Sequence, residues 1–236
     1  MPSNRQMNNN TESVDNYLKA ILALSGPDER SVSSTALAQR LEVAPASITN
    51  MLQKLASAQP SYVEYEKRRG VRLSPEGKRR ALEVLRHHRL IETFLYEILD
   101  YPIEEVHEEA ERLEHFISER FEERIASKLG HPKFDPHGHR IPATNGKMPK
   151  QRSVALAEVK EDGTYIVDSI SDRNAALLKR LKATGIAPGV RLEVDRRAND
   201  EITVRVENRT KVLQLLPESV SAIRIRRSHY DHTRSV

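Results

Sequence analysis

The sequence contains no cysteine. That single absence excludes disulfides, iron–sulfur clusters, thiolate-bound zinc and cysteine nucleophiles. Tryptophan is absent too, and aromatic residues make up only 5% of the 236 positions. No apolar run approaches the ~20 residues of a membrane-spanning helix. Residues 1–10 are polar and lack the apolar core of a secretory signal. The expectation is a soluble, cytoplasmic protein with no membrane partner. What remains is 38% hydrophobic and 31% charged residues, enough for small packed cores in one to three domains.

The net charge of +4 is too small to announce a nucleic-acid binder, but its distribution is uneven. Residues 1–75 carry nine Lys/Arg against seven Asp/Glu, residues 76–140 eleven against fifteen, and residues 141–236 eighteen against twelve. The acidic middle holds nine glutamates between Glu104 and Glu123, and seven of the nine histidines. Imidazoles and carboxylates concentrated on one segment point towards a metal site.

Hydrophobic spacing predicts a helix over 11–25, with Val14, Tyr17, Leu18, Ile21 and Leu22 inward. A short helix follows over Ser34–Leu41, then another over 45–57, opened by Pro45. Two short strands, Tyr62–Glu66 and Val71–Ser74, flank the cationic turn Lys67-Arg68-Arg69-Gly70. Three helices and a basic ribbon form the winged helix-turn-helix pattern. The outer face of the third helix offers Pro45, Ala46, Ser47, Thr49, Asn50 and Lys54. Small polar groups there suit base edges in the major groove of double-stranded DNA. Arg68 and Arg69 suit phosphates.

Ser74 and Pro75 open a long helix that runs to about Leu99. A second long helix is expected from about Ile103 to Leu129, with an apolar stripe along its length. Two such helices in a small chain suggest a symmetric homodimer. Residues 130–153 read as a linker that carries His131, His137 and His139, for which a solvated loop is preferred over a metal role. Thereafter come a helix over 172–184 capped by Ser171 and four short alternating strands between Val190 and Ile225, the pattern of a small barrel. The fold class is mainly α with small β parts. The expected domains are 1–75 (winged helix-turn-helix), 76–145 (helical dimerisation and metal binding) and 154–228 (an SH3-like, FeoA-like barrel).

On the acidic helix, His107, Glu111, Glu114 and His115 fall within an arc of about 100°. On the preceding helix His88 and Glu92 are spaced i, i+4 and share a face. A nitrogen and oxygen donor set of this kind suits Mn²⁺, Fe²⁺, Co²⁺ or Zn²⁺, and the carboxylate excess favours the harder end of that series. Glu104, Glu105, Glu108, Glu109, Glu122 and Glu123 read instead as solvated surface residues.

Taken together, from about Ser13 to Arg227, the chain resembles the metal-dependent repressors typified by the diphtheria toxin repressor and the manganese transport regulator. The segments that carry the resemblance are Pro45 to Leu55, Tyr65 to Gly70, His88 to Glu92 and His107 to His115. It implies a regulator, most simply a repressor of metal-uptake genes. Binding of Mn²⁺, or alternatively Fe²⁺, would promote attachment of a homodimer to a palindromic operator. It implies one metal site from His88, Glu92 and His107, and a second from Asn16, Glu111, Glu114 and His115. Glu111 stands where iron-responsive members tend to carry Cys, as in manganese-responsive members. Asn16, with Asp15 beside it, stands where members carry Met or Asp. Lys19 stands where some manganese-responsive members place a Glu, which speaks against a two-manganese site copied from them. The barrel would add a ligand to the first site, Asp172 by position, with Asp168 or Asn174 as substitutes.

Three rival readings stand beside this one. A di-iron enzyme needs Glu-x-x-His on two separate helices, and only Glu104 to His107 matches, so no catalytic residue is assigned. A winged-helix regulator sensing an organic ligand would leave the His and Glu residues on the surface. A metal-dependent activator is indistinguishable from a repressor by sequence.

Overall fold

The structure, a computed structural model, describes residues 4–149, 153–196 and 201–228. The chain divides into two compact units. The first comprises the N-terminal region through His88, with segments 111–122 and 142–148. The second comprises 89–110, 123–141 and 149 onward.

In the first unit, α1 (Asn4–Ser25), α2 (Ser34–Leu41) and α3 (Pro45–Ser57) enclose a core with the hairpin of β1 (Val63–Glu66) and β2 (Gly70–Leu73). Leu18, Ile21, Leu37, Ile48, Leu52 and Leu55 are fully buried. Burying each contributes about 1.5–3 kcal/mol. The Ser33 hydroxyl caps α2 by accepting from Ala36 N at 3.1 Å, and α3 starts at Pro45, whose missing amide costs nothing there. The hairpin pairs Val63 with Leu73 and Glu66 with Gly70. Val32 joins its edge through two backbone bonds to Val71, each 2.9 Å. Gly70 has φ +92°, and a Cβ there would lie 2.6 Å from Val32 O, so only glycine lets the wing close on this edge. Ser74 and Pro75 open α4 (Pro75–Ile98), with Gly77 N donating to Ser74 Oγ at 3.1 Å.

The long helix expected from Ile103 to Leu129 is two helices, α5 (Val106–Leu113) and α6 (Glu119–Lys128). Ser118 starts α6, accepting from Phe121 N and Glu122 N. Between the helices, Glu114 and His115 lie in a turn, and both side chains are buried. Adjacent residues on a helix diverge by about 100°, so the turn is what lets two consecutive side chains face one cluster.

In the second unit an antiparallel sheet runs in the order β3-β8-β4-β5-β6-β7. Its strands are β3 (Val154–Ala155), β4 (Gly163–Ile170), β5 (Arg191–Arg196), β6 (Ile202–Val206), β7 (Val212–Gln214) and β8 (Ile223–Arg227). With α7 (Ala175–Thr184) and α8 (Pro217–Ala222) it encloses Leu156, Val167, Leu178, Ile186, Leu192, Val204, Ile223 and Ile225. The sequence reading missed β4, the longest of these strands. α7 begins at Ala175 rather than 172, because Asn174, not Ser171, is its cap: the Asn174 side chain accepts from Leu177 N at 2.9 Å.

Residues 130–141 are not a solvated linker. Asp135 Oδ1 accepts from His137 N and His139 N, both at 2.9 Å, which folds the loop into a compact turn. Ile170 N donates to His137 O at 2.9 Å and fastens that turn to β4. Gly138 has φ +85°, and a Cβ there would lie 2.2 Å from Asp168 O, so the contact with β4 requires glycine. The result is that His137 is fully buried.

Candidate metal centre

Two clusters of imidazoles and carboxylates emerge, one in each unit. In the first unit, α1 supplies Asp15 and Lys19, α4 supplies Arg80 and His88, and the α5–α6 region supplies Glu111, Glu114 and His115. His88 Nδ1 lies 2.6 Å from Glu114 Oε2 and 3.9 Å from Glu111 Oε1. His115 Nε2 lies 3.2 Å from Glu114 Oε1, and its Nδ1 lies 3.4 Å from Asp15 Oδ2. Arg80 grips Asp15 through two bonds of 2.8 and 3.0 Å. Burial works against the Asp15 carboxylate, but His115 and Arg80 outweigh it and hold its pKa below the ordinary value. Lys19 Nζ stands 2.8 Å from Glu111 Oε1 and 2.6 and 2.8 Å from the two Glu114 oxygens.

The first-helix contacts to this cluster thus come from Asp15 and Lys19. Asn16, the residue implied by the resemblance, is half-buried one position further round the helix. A cavity of about 220 Å³ adjoins the cluster, lined by Asp15, Arg80, His87, Glu114 and His115 among others. His87 is committed elsewhere, its Nε2 lying 2.9 Å from Glu122 Oε2. Arg86 donates to the other Glu122 oxygen at 2.7 Å. Glu122 is therefore buried, not a solvated surface residue. Despite the burial, the pair holds His87 above and Glu122 below their ordinary pKa values.

In the second unit, Glu92 of α4 and His107 of α5 meet at 3.3 Å (Oε1 to Nδ1). Asp172 Oδ2 lies 3.8 Å from His107 Nδ1 and 3.6 Å from His139 Nδ1. His137 Nδ1 lies 3.8 Å from Glu92 Oε1, and His139 Nδ1 lies 3.3 Å from Asp135 Oδ2. Burial opposes protonation of His137, but the Glu92 carboxylate, with Asp135 and Asp172, raises its pKa to about 9. Burial likewise raises the Asp172 pKa, and the imidazoles, His139 foremost, bring it below the ordinary value.

Asp172, free of any capping role, thus joins Glu92 and His107, while His88 sits one turn before Glu92 on α4. Asp168 turns to Arg226, 3.7 Å away, and Asn174 is spent on its helix. The sequence favours solvation over a metal role for His137 and His139 and does not single out Asp135, because neither a helical nor a strand period carries them. The D-x-H-x-H spacing was the available signal.

A divalent cation fits both donor sets. His137 Nδ1, His139 Nδ1, Asp135 Oδ2 and both ring nitrogens of His115 are buried and make no aligned hydrogen bond, only contacts of 3.2–3.8 Å with oppositely charged groups. The donors are nitrogen and oxygen only, matching manganese, iron or zinc rather than a thiophilic ion.

The residues expected to face DNA lie on α3 and at the wing tip. Pro45, Ala46, Ser47, Asn50 and Lys54 are exposed on α3. Thr49 is half-buried and bonds back to Pro45 O at 3.3 Å. Arg68 and Arg69 are exposed at the wing tip, Arg69 paired with Glu66 at 3.0 Å.

Comparison with known proteins gives three consecutive matches. Residues 10–71 match the iron dependent repressor N-terminal DNA binding domain, 74–143 the iron dependent repressor metal binding and dimerisation domain, and 154–227 the FeoA domain. The chain is 29% identical over 209 residues to the iron-dependent repressor IdeR of Mycobacterium leprae, covering 80% of this chain and 86% of that protein. It is 34% identical over 125 residues to the HTH-type transcriptional regulator MntR of Oceanobacillus iheyensis, covering 53% of this chain and 82% of that one. A solved structure of a manganese-dependent transcriptional repressor in complex with manganese superimposes with a TM-score of 0.82 at 34% identity, covering 90% of this chain and 98% of that one. The chain belongs to the family of metal-dependent, DNA-binding transcriptional repressors that includes the diphtheria toxin repressor and the iron- and manganese-dependent regulators.

Proposed function

We propose that the protein is a cytoplasmic repressor of metal-uptake genes that responds to Mn²⁺, with Fe²⁺ as the alternative effector, and binds palindromic operator DNA as a homodimer. The observation that carries this reading is the convergence of imidazole and carboxylate groups, Glu92, His107 and Asp172 in one set, Asp135, His137 and His139 in another, and His88, Glu111 and Glu114 in a third, the ligand atoms of each set lying within 4.8 Å of one another. One site would use Glu92, His107 and Asp172, with Asp135, His137 and His139 from the loop, and His88 would belong with Glu111 and Glu114. The other would use Glu111, Glu114 and His115, with Asp15 in preference to Asn16 as the contribution of α1. The functional parts would be 1–75 for DNA, 76–145 for dimerisation and metal, and 154–228 for the FeoA-like domain.

A bound divalent ion supplies two positive charges to donors that otherwise repel or stay unsatisfied. The residues do the rest. Asp15 ties α1, and with it the helix-turn-helix, to His115 in the α5–α6 turn. Holding that link fixes the recognition helix of each protomer, so both half-sites of a palindrome come within reach together. The metal shifts the population only as far as it prefers the DNA-competent state. Ser47, Thr49 and Asn50 would read bases, with Pro45 and Ala46 at the leading turn, and Lys54, Arg68 and Arg69 would contact phosphate. Leu113, Phe116 and Phe121 in the first unit, and Tyr96, Ile98 and Leu99 in the second, leave large apolar surface exposed, which supports burial against a second protomer. The test is a mobility-shift titration on operator DNA with Mn²⁺, with Fe²⁺ and with chelator. Metal-dependent retardation is expected, and equal binding in all three would overturn the reading.

A further inference from the structure

Lys19 lies one turn after Asp15 on α1, so the two share a face of the helix. Its side chain is 15% exposed, and the Glu114 carboxylate it meets is fully buried. The ammonium has three N–H donors. Three carboxylate oxygens, one from Glu111 and both from Glu114, stand within 2.8 Å of it. It therefore occupies the space between the two acids that the proposed second site assigns to a metal. A lysine at the rim of a helix ordinarily carries its charge into water. What draws it inward is the negative charge of two carboxylates held side by side.

We propose that Lys19 is a built-in competitor for the cation at Glu111, Glu114 and His115, and that it sets the metal concentration at which this site fills. The inference rests on the proposed ligand role of those three residues. In the metal-free chain the ammonium neutralises the acid pair and ties α1 to the α5–α6 region. A divalent ion that binds both carboxylates must displace it. The work of displacement is subtracted from the affinity of this site and not from that of Glu92, His107 and Asp172. Filling the site that restrains α1 therefore carries a cost that removal of the Lys19 ammonium relieves.

The experiment is a Mn²⁺ titration of the full-length protein in competition with a fluorescent chelator. It compares the wild type, Lys19→Met, which keeps the length of the stem, Lys19→Gln, which keeps its polarity, and Glu114→Gln. The wild type should show a tight and a weaker class of site. Lys19→Met and Lys19→Gln should tighten the weaker class at least about tenfold, some 1.4 kcal/mol, and leave the tight class unchanged. Without metal both variants should melt at a lower temperature than the wild type, because the acids lose their counter-charge, and should gain more on adding Mn²⁺. If Glu114→Gln weakens the second class while both lysine variants leave it unchanged or weaker, the competitor role is wrong and the ligand assignment stands. One class of site, identical in all four proteins, would overturn the ligand assignment and the proposal with it.

Discussion

Asp15 on α1 and His115 in the α5–α6 turn face each other across 3.4 Å (Oδ2 to Nδ1), with Arg80 fixing the carboxylate from its other side. A side chain of the DNA-binding region thus reaches the centre of the first-unit cluster. Asp15 is 1% exposed, whereas Asn16 is half-buried.

Substitutions on α1 separate the two neighbours. Asp15→Asn should destabilise the protein by about 1–3 kcal/mol, because it strips a charge-assisted partner from Arg80, and should weaken Mn²⁺ binding. Asn16→Ala should change stability by less than about 0.5 kcal/mol and leave metal affinity within about threefold of the wild type, a free-energy difference below roughly 0.7 kcal/mol. Chemical denaturation and chelator competition on both variants check this pair of outcomes.

Asp172 and Asn174 provide a second contrast, between a metal ligand and a cap. Asn174→Ala should cost about 0.5–2 kcal/mol of stability through loss of the α7 cap and leave metal affinity intact. Asp172→Ala should lower metal affinity at the Glu92 cluster, which Asn174→Ala should leave unchanged. Parallel melting curves and metal titrations distinguish them.

The pH dependence follows from His137. Its pKa is raised from 6.5 to about 9 in the folded, metal-free chain. A raised pKa means that the stabilisation is complete below pH 6.5 and is lost as the pH climbs to about 9. Metal binding requires the neutral ring, so affinity should rise over the same interval, by up to about tenfold per pH unit for one proton released. Calorimetry in buffers of differing ionisation enthalpy should detect that proton. The slope should flatten in His137→Gln. At the acid end, Asp15, Glu122 and Asp172 have lowered pKa values, so what they contribute is present near neutrality and is lost as the pH falls below the ordinary carboxylate range.

On the DNA side, Arg68→Ala should weaken binding to all duplexes alike and reduce the slope of log affinity against log salt by about 0.9. Asn50→Ala should instead erode discrimination between operator and random duplex, at about 1–3 kcal/mol for a lost bidentate base contact. Salt titrations with both duplexes separate phosphate binding from base reading.

Part of the candidate metal site was legible because helices translate spacing into direction. His88 and Glu92 at i, i+4 share a face of α4, and His107 and Glu111 at i, i+4 share one of α5, whereas Glu114 and His115 lie in the turn beyond it. The winged hairpin was equally readable from its alternation and its basic turn. Three features were not. The break after Leu113 depends on two adjacent residues, Glu114 and His115, both turning inward, and the apolar stripe continues across it undisturbed. The burial of His137 depends on Asp135 bonding the loop to itself and on Gly138 meeting Asp168 O, contacts that no period encodes. The choice of Asp15 over Asn16 depends on a rotation of α1 by one residue, which its apolar stripe fixes only to within about that angle. Lys19 drew notice as a departure at its position, but its seat between Glu111 and Glu114 emerged only from the packed side chains.

The most direct measurement is the affinity of the protein for operator DNA and its metal content, determined together on the wild type and on a variant with His88, Glu114 and His115 all replaced by alanine. Fluorescence anisotropy of a labelled duplex, at fixed Mn²⁺ and again in chelator, gives the first, and elemental analysis of the same samples the second. The wild type should bind the duplex at least about a hundredfold more tightly with Mn²⁺ than without, some 2.7 kcal/mol, and the variant should lose both that difference and part of its metal. A variant that keeps its full metal content and the full Mn²⁺ dependence of DNA binding would contradict the account.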